Sequence, residues 1–147
     1  MRYKIETERE NLFDVNMVIA MRVRIEGEVL FEELEKAFNK AVAAYEILNS
    51  KVVFEDNGDA FYVDCERPMS SFKNSSLGFE ELINANEGIR FHIEEGEFIR
   101  AFLSPDGLVF LMHHLSGDGK SLLYFIETFL SILSGEEVNS VAFEYLP

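Results

Sequence analysis

Two adjacent histidines, with an aspartate five residues after the first, are the residues of this chain whose types and spacing suit proton chemistry. They stand in His113-His114-Leu115-Ser116-Gly117-Asp118-Gly119. Histidine is the side chain whose ordinary pKa lies near neutrality, so it can accept a proton from an attacking hydroxyl or amine at physiological pH. A well-placed general base speeds such a step by about 10²- to 10⁴-fold. A histidine pair at the end of an apolar strand also has a plainer use, as core polarity satisfied by its surroundings.

The flanking residues set the context. Residues 108–112, Leu-Val-Phe-Leu-Met, form a continuous apolar run after the turn signal Pro105-Asp106-Gly107, which predicts a strand buried on both faces. From about Lys120 to Leu133, Leu122, Leu123, Phe125, Ile126, Phe129, Leu130 and Leu133 recur at helical spacing. The pair therefore lies where a strand passes into a helix. Side chains alternate across a strand, so two histidines both within it would point to opposite sides and would not chelate one metal. One is expected to be structural and the other free to act. Asp118 stands where an ordinary N-cap would precede the helix, and Gly119 reads as a turn residue.

Other elements must position this segment. Residues 18–25 read as a strand with Met21, Val23 and Ile25 on one face and Arg22 and Arg24 on the other, ended by Gly27. Residues 30–48 read as the clearest helix, with Leu30, Leu34, Ala37, Phe38, Ala41, Val42, Tyr45 and Leu48 inward. Residues 51–55 and 60–64 flank Asp56-Asn57-Gly58-Asp59, a hairpin turn. Residues 68–76 read as a polar loop anchored by Phe72, and residues 79–85 as a short helix. Residues 97–103 and 108–113 form a second hairpin, and from Gly135 onward the chain reads as an irregular tail.

The chain has 147 residues, 48% of them hydrophobic, which suits one domain with a real core. We expect that domain over residues 1–134, with 135–147 as tail or linker. A formal net charge of -14 argues against nucleic-acid binding, which depends on cationic neutralisation of phosphate. Lys120, Arg67 and Lys73 are the cations available to an anionic ligand. No apolar run approaches the length of a membrane span, and the first residues lack a signal peptide's apolar stretch, so a cytoplasmic address is expected. The single cysteine, Cys65, leaves no internal disulfide, and nothing in the sequence supplies it with a base. A metal site built from His92, His113, His114 and acids such as Glu94 or Glu95 is a minor alternative, and strand alternation counts against it.

The motif residues resemble His-His-x-x-x-Asp-Gly, the signature of the superfamily of chloramphenicol acetyltransferase, alcohol and plant acyltransferases and the condensation domains of nonribosomal peptide synthetases. Looser likenesses extend outward. Residues 27–34 resemble that family's first helix start, and Glu97-Phe98-Ile99-Arg100-Ala101-Phe102-Leu103 resembles the strand before the motif strand. Tyr45-Glu46-Ile47-Leu48-Asn49-Ser50 falls where condensation domains carry His-Pro-x-Leu-Arg-Thr. The element order resembles the N-terminal half of such a domain. The resemblance implies an α/β fold, an α+β two-layer sandwich of mostly antiparallel or mixed sheet with helices packed on one face. It implies that His114 is the general base and His113 supports it. It gives Asp118 a structural role, turned from substrate and paired with an arginine, while Gly119 keeps the turn tight. The implied activity moves an acyl group from a thioester of coenzyme A or a carrier protein to a hydroxyl or amine. The thioester is then a substrate, with no bound cofactor and no metal.

Two departures stand beside the likeness. Asn49 occupies the arginine's place, so Asp118 would be held without that charge or would find Arg22, Arg24 or Arg100. The chain also covers one of the family's two halves, so the expected partners, besides donor and small-molecule acceptor, are a C-terminal half or further copies of the chain. A non-catalytic binding module, or one subunit of a split enzyme, is the alternative function.

Overall fold

The run before the histidines does form a strand buried on both faces: every residue from Leu108 to His113 is buried. The computed structural model describes residues 2–5, 18–25, 28–116 and 119–135; Gly27, Gly117, Asp118 and 136–147 lie outside them. The described strands are β1 (Arg2–Lys4), β2 (Val18–Val23), β3 (Ser50–Phe54), β4 (Ala60–Asp64), β5 (Ser71–Asn74), β6 (Ile99–Ser104) and β7 (Gly107–His113). The helices are α1 (Phe31–Ala44), α2 (Phe79–Asn86) and α3 (Gly119–Leu133). One sheet has the order β1-β4-β3 and is antiparallel; the other has the order β2-β7-β6-β5 and is mixed. This is the α/β class expected.

Register explains how the second sheet is covered. Ala101 pairs with Phe110, and Met21 pairs with the same Phe110 on the other side. Phe110 meets Phe125 and Phe129 of α3 at ring distances of 6.3 and 5.6 Å, so this face carries the long helices. Phe38 of α1 meets Phe125 edge-on at 5.8 Å and Phe72 of β5 at 5.7 Å. An aromatic seam thus joins α1, α3, β5 and β7, with geometry that adds to the burial of each ring. The opposite face, holding Arg22, Val109, Leu111, Arg100 and His113, is covered by α2 and the segment that follows it. Arg22 lies over the Phe79 ring at 5.5 Å and Arg100 over Phe91 at 4.0 Å.

Local differences from the sequence reading have physical causes. Helical periodicity continues to Leu48, yet α1 stops at Ala44 and Tyr45 is extended (φ -108°, ψ 118°). The Asn49 amide donates to the carbonyls of Val42 and Tyr45 at 2.9 and 2.8 Å, adding to the Tyr45 and Leu48 N–H groups that these carbonyls also accept and bracing the exit from the helix. Residues 46–49 turn as a 3-10 helix, and Leu48 stays buried. Residues 71–74, read as loop, form β5, which pairs in parallel with β6; the polar composition of an edge strand hid it, and only Phe72 is buried there. The Ser70 hydroxyl caps this junction, accepting from the N–H groups of Phe98 and Ile99.

Two glycines sit at close approaches, Gly107 against backbone and Gly78 against a side-chain carboxylate that can shift. Gly107 has φ +117° and a Cβ there would lie 2.6 Å from the Val23 carbonyl oxygen. At Gly78 a Cβ would lie 2.5 Å from Asp106 Oδ2, which accepts the Phe79 N–H at 2.9 Å. The carboxylate capping α2 therefore comes from the β6–β7 turn, while Glu81 accepts the Gly78 N–H at 3.4 Å.

Phe38, fully buried at the centre of the seam, meets the rings of both Phe72 and Phe125, so its truncation opens a void between helices and sheet. Phe38→Ala is expected to lower stability by about 3–5 kcal/mol, measured as a fall in the urea midpoint with the slope unchanged.

Candidate active site

The two histidines of the pair have different fates because the strand ends between them. β7 runs through His113, and residues 114–116 form a 3-10 turn leading toward α3. Simple alternation therefore does not extend to His114, and the turn itself separates the two rings. His113 is 4% exposed and His114 is half-buried.

His113 is tied into the fold. Its N–H donates to the Phe98 carbonyl at 2.8 Å, continuing the sheet. Its Nδ1 accepts the Leu115 N–H at 3.0 Å, which leaves the proton of the neutral ring on Nε2. Its ring packs edge-on against Phe91 at 5.7 Å, and its carbonyl accepts the Ser116 hydroxyl at 2.9 Å. Its role in the geometry is to shape the turn.

Behind Phe91 stands Arg100, 7% exposed. Its Nη2 donates to Glu97 Oε1 and to the Arg90 carbonyl, both at 2.8 Å. Its Nη1 donates to the Ile89 carbonyl at 3.2 Å and to Asn86 Oδ1 at 3.3 Å. Glu97 Oε1 also accepts the His92 N–H at 3.0 Å. A buried guanidinium must have its donors met, and here one side chain gathers residues 86–97 onto the sheet beneath His113.

His114 differs. Its Nδ1 is buried and has no hydrogen-bond partner among the described residues. A buried polar atom left unpaired costs about 1–3 kcal/mol, which sets this nitrogen apart from those of His113 among the described residues. Backbone on both sides constrains where the ring can point. His113 precedes it as a buried anchor, and Leu115 follows with its N–H held by His113 and its carbonyl accepting the Tyr62 hydroxyl at 3.2 Å.

The remaining predicted residues are placed as follows. Asp118 lies outside the described residues. Gly119 is the first residue of α3, one position before the expected start, and a Cβ there would meet only Met21 Cε at 3.9 Å, an ordinary contact. Asn49, in the expected arginine's place, has its amide committed to the end of α1. Arg100, offered as a substitute, is committed to residues 86–97, and Arg22 and Arg24 are exposed. Lys120, Arg67 and Lys73 are exposed on three different segments, Lys120 with Nζ 5.7 Å from the Tyr124 ring centroid. Cys65 is partly buried, with Sγ 3.8 Å from the Glu95 carbonyl oxygen. His92 is exposed, and among the described residues no three His, Cys, Asp or Glu side chains are grouped to hold a metal ion. No described helix is long and apolar enough to cross a membrane. Sequence reasoning missed Tyr62 and Phe91, whose only sequence signal was that of ordinary core aromatics.

The chain has the fold of condensation domains over nearly its whole length. It superposes on the condensation domain of the Monacolin K polyketide synthase MokA with a TM-score of 0.76, at 16% identity, covering 97% of this chain and 37% of that one. With the first condensation domain of the calcium-dependent antibiotic synthetase the TM-score is 0.75, at 16% identity, covering 97% and 40%. SgcC5 from Streptomyces globisporus gives 0.69 at 21% identity, covering 85% and 32%. Among curated proteins, Fusarin C synthetase of Gibberella moniliformis is 25% identical over 137 residues, 87% of this chain and 3% of that protein. Bacitracin synthase 2 of Bacillus licheniformis is 23% identical, covering 97% of this chain and 6% of that protein. No family model matches the chain. The chain thus spans less than half of each solved domain and a small fraction of each curated relative.

The unequal histidines predict unequal variants. His113→Ala strands the Leu115 N–H and empties the site beside Phe91, and should lower stability by about 2–3 kcal/mol. His114→Ala removes an unpaired nitrogen and should change stability by about 1 kcal/mol or less. Paired urea unfolding curves measure the contrast, and equal losses would contradict it.

Proposed function

We propose that this chain is the histidine-bearing part of a condensation-type acyltransferase, with His114 as its general base. An amine or hydroxyl attacks the carbonyl carbon of an acyl thioester while its proton passes to the imidazole of His114. The new C–N or C–O bond forms, the C–S bond breaks, and the departing thiolate takes the proton back from the imidazolium. The donor is a thioester of coenzyme A or of a carrier protein, and no resident cofactor or metal is called for. The observation that carries the reading is the half-buried His114, its Nδ1 without a partner among the described residues, beside a neighbour tied into the fold. Condensation-domain fold along 97% of the chain supports it.

His113 and Gly119 serve this site by shaping the turn on either side of the base, and Asp118 is its structural carboxylate. The domain occupies residues 1–134, with 135–147 as tail or linker, in a cytoplasmic setting. Because the chain spans about 40% of the solved condensation domains, a C-terminal half or further copies of the chain complete the cleft, exclude water and position the acceptor. Asn49, uncharged and committed to α1, favours a second reading, in which the chain is a scaffold or one subunit of a split enzyme. Restored transfer on adding a separately expressed C-terminal half would identify the split form.

The decisive assay supplies acetyl-coenzyme A with short amines or alcohols and follows free thiol. His114→Ala should reduce release by at least about 10²-fold, whereas equal release from parent and variant would discredit the assignment. A second expectation follows from the net charge of -14. An anionic donor approaches against this field, so raising salt from low ionic strength should increase kcat/KM. A decrease instead would mean that local cations such as Lys120 steer the donor.

A further inference from the structure

We propose that Tyr62 is a positioning residue for His114, its phenol holding the turn that presents the imidazole. The inference rests on His114 being the base and adds a residue from a different sheet to its support. Tyr62 lies in β4 of the three-stranded sheet, 2% exposed, and pairs across the strand with Val52 and Tyr3. Its hydroxyl donates to the Leu115 carbonyl at 3.2 Å, in a buried bond that spans 53 positions of sequence. Leu115 directly follows His114, and its own N–H is already held by His113 Nδ1. Both polar groups of Leu115 are therefore fixed by side chains, one from each sheet.

This matters because His114 has no side-chain bond at Nδ1 among the described residues to aim its ring. The direction of the imidazole is then set by the backbone dihedrals of residues 113–115, and those are set by what grips Leu115. Without the phenol, the peptide plane between Leu115 and Ser116 loses this hold, while the Ser116 hydroxyl keeps its bond to the His113 carbonyl. The carbonyl would also be left buried without this donor, which gives the turn a reason to rotate toward water. Misplacement of a catalytic group by about 1 Å can cost 10²-fold in rate, so a hydroxyl that never touches substrate can still govern turnover.

Tyr62→Phe keeps the ring and its packing and removes only the hydroxyl. Tyr45→Phe is the matched control: it deletes another phenol bond, to Thr128 Oγ1 at 2.8 Å between α1 and α3, away from the turn. Imidazole NMR spectra of the labelled chain, with His114 assigned through His114→Ala, should show shifted and broadened His114 signals in Tyr62→Phe and unchanged ones in Tyr45→Phe. Thiol release should fall by about tenfold in kcat with KM nearly constant, and the pH midpoint of the rate should move, in Tyr62→Phe alone. The proposal is overturned if Tyr62→Phe leaves the His114 signals at their parent positions, or if both variants disturb them alike. Should His114→Ala retain full thiol release, the acyltransferase reading fails, and the NMR comparison alone decides whether Tyr62 holds the turn.

Discussion

Burial of β7 on both faces is the constraint from which the site follows. A strand with no solvent face must end before its polar groups go unpaired, and it ends here on a histidine whose Nδ1 accepts the N–H of the residue two positions on. That bond lets the backbone leave the sheet without stranding a donor. It also commits His113 to one orientation, so among the described residues the neighbouring ring is the one left with an unpaired nitrogen. Proton chemistry at His114 would thus be a by-product of how the core closes.

The support beneath the turn comes from both layers of the molecule. On one side Arg100, Phe91 and Glu97 form a buried stack under His113, tying residues 86–97 to β6. On the other, Tyr62 brings the three-stranded sheet to the Leu115 carbonyl. The helices contribute from the opposite face, through the seam of Phe38, Phe110, Phe125 and Phe129 that fixes β7 in height and tilt. Replacement of an expected arginine by Asn49 fits this scheme. Its amide ends α1 where the chain must turn into β3, so rigidity at the turn depends on aromatic packing and hydrogen bonds from elsewhere.

Much of this was legible from local pattern. The 108–113 run, the hairpin turn at residues 56–59 and the spacing of Leu34, Phe38, Ala41 and Val42 each report one element's burial, and burial is what periodicity encodes. The unequal histidines were legible as a principle, although the mechanism differs: a 3-10 turn separates them in place of strand alternation. Residues 71–74 were not legible, because a short polar edge strand carries little burial signal and exists through its pairing with β6. Nor was the early stop of α1, where one asparagine amide overrides a periodicity that runs on to Leu48.

By itself the sequence marked a histidine pair at a strand end as the residues suited to proton chemistry and determined the class of fold, because residue type and apolar spacing are local properties of the chain. Only the tertiary structure decided which nitrogen is unpaired and which side chains hold the turn. Tyr62 and Leu115 stand 53 positions apart, and Phe91 packs against both Arg100 and His113. Such partners are chosen by how two sheets and three helices pack, and no pattern along one strand or helix carries that information.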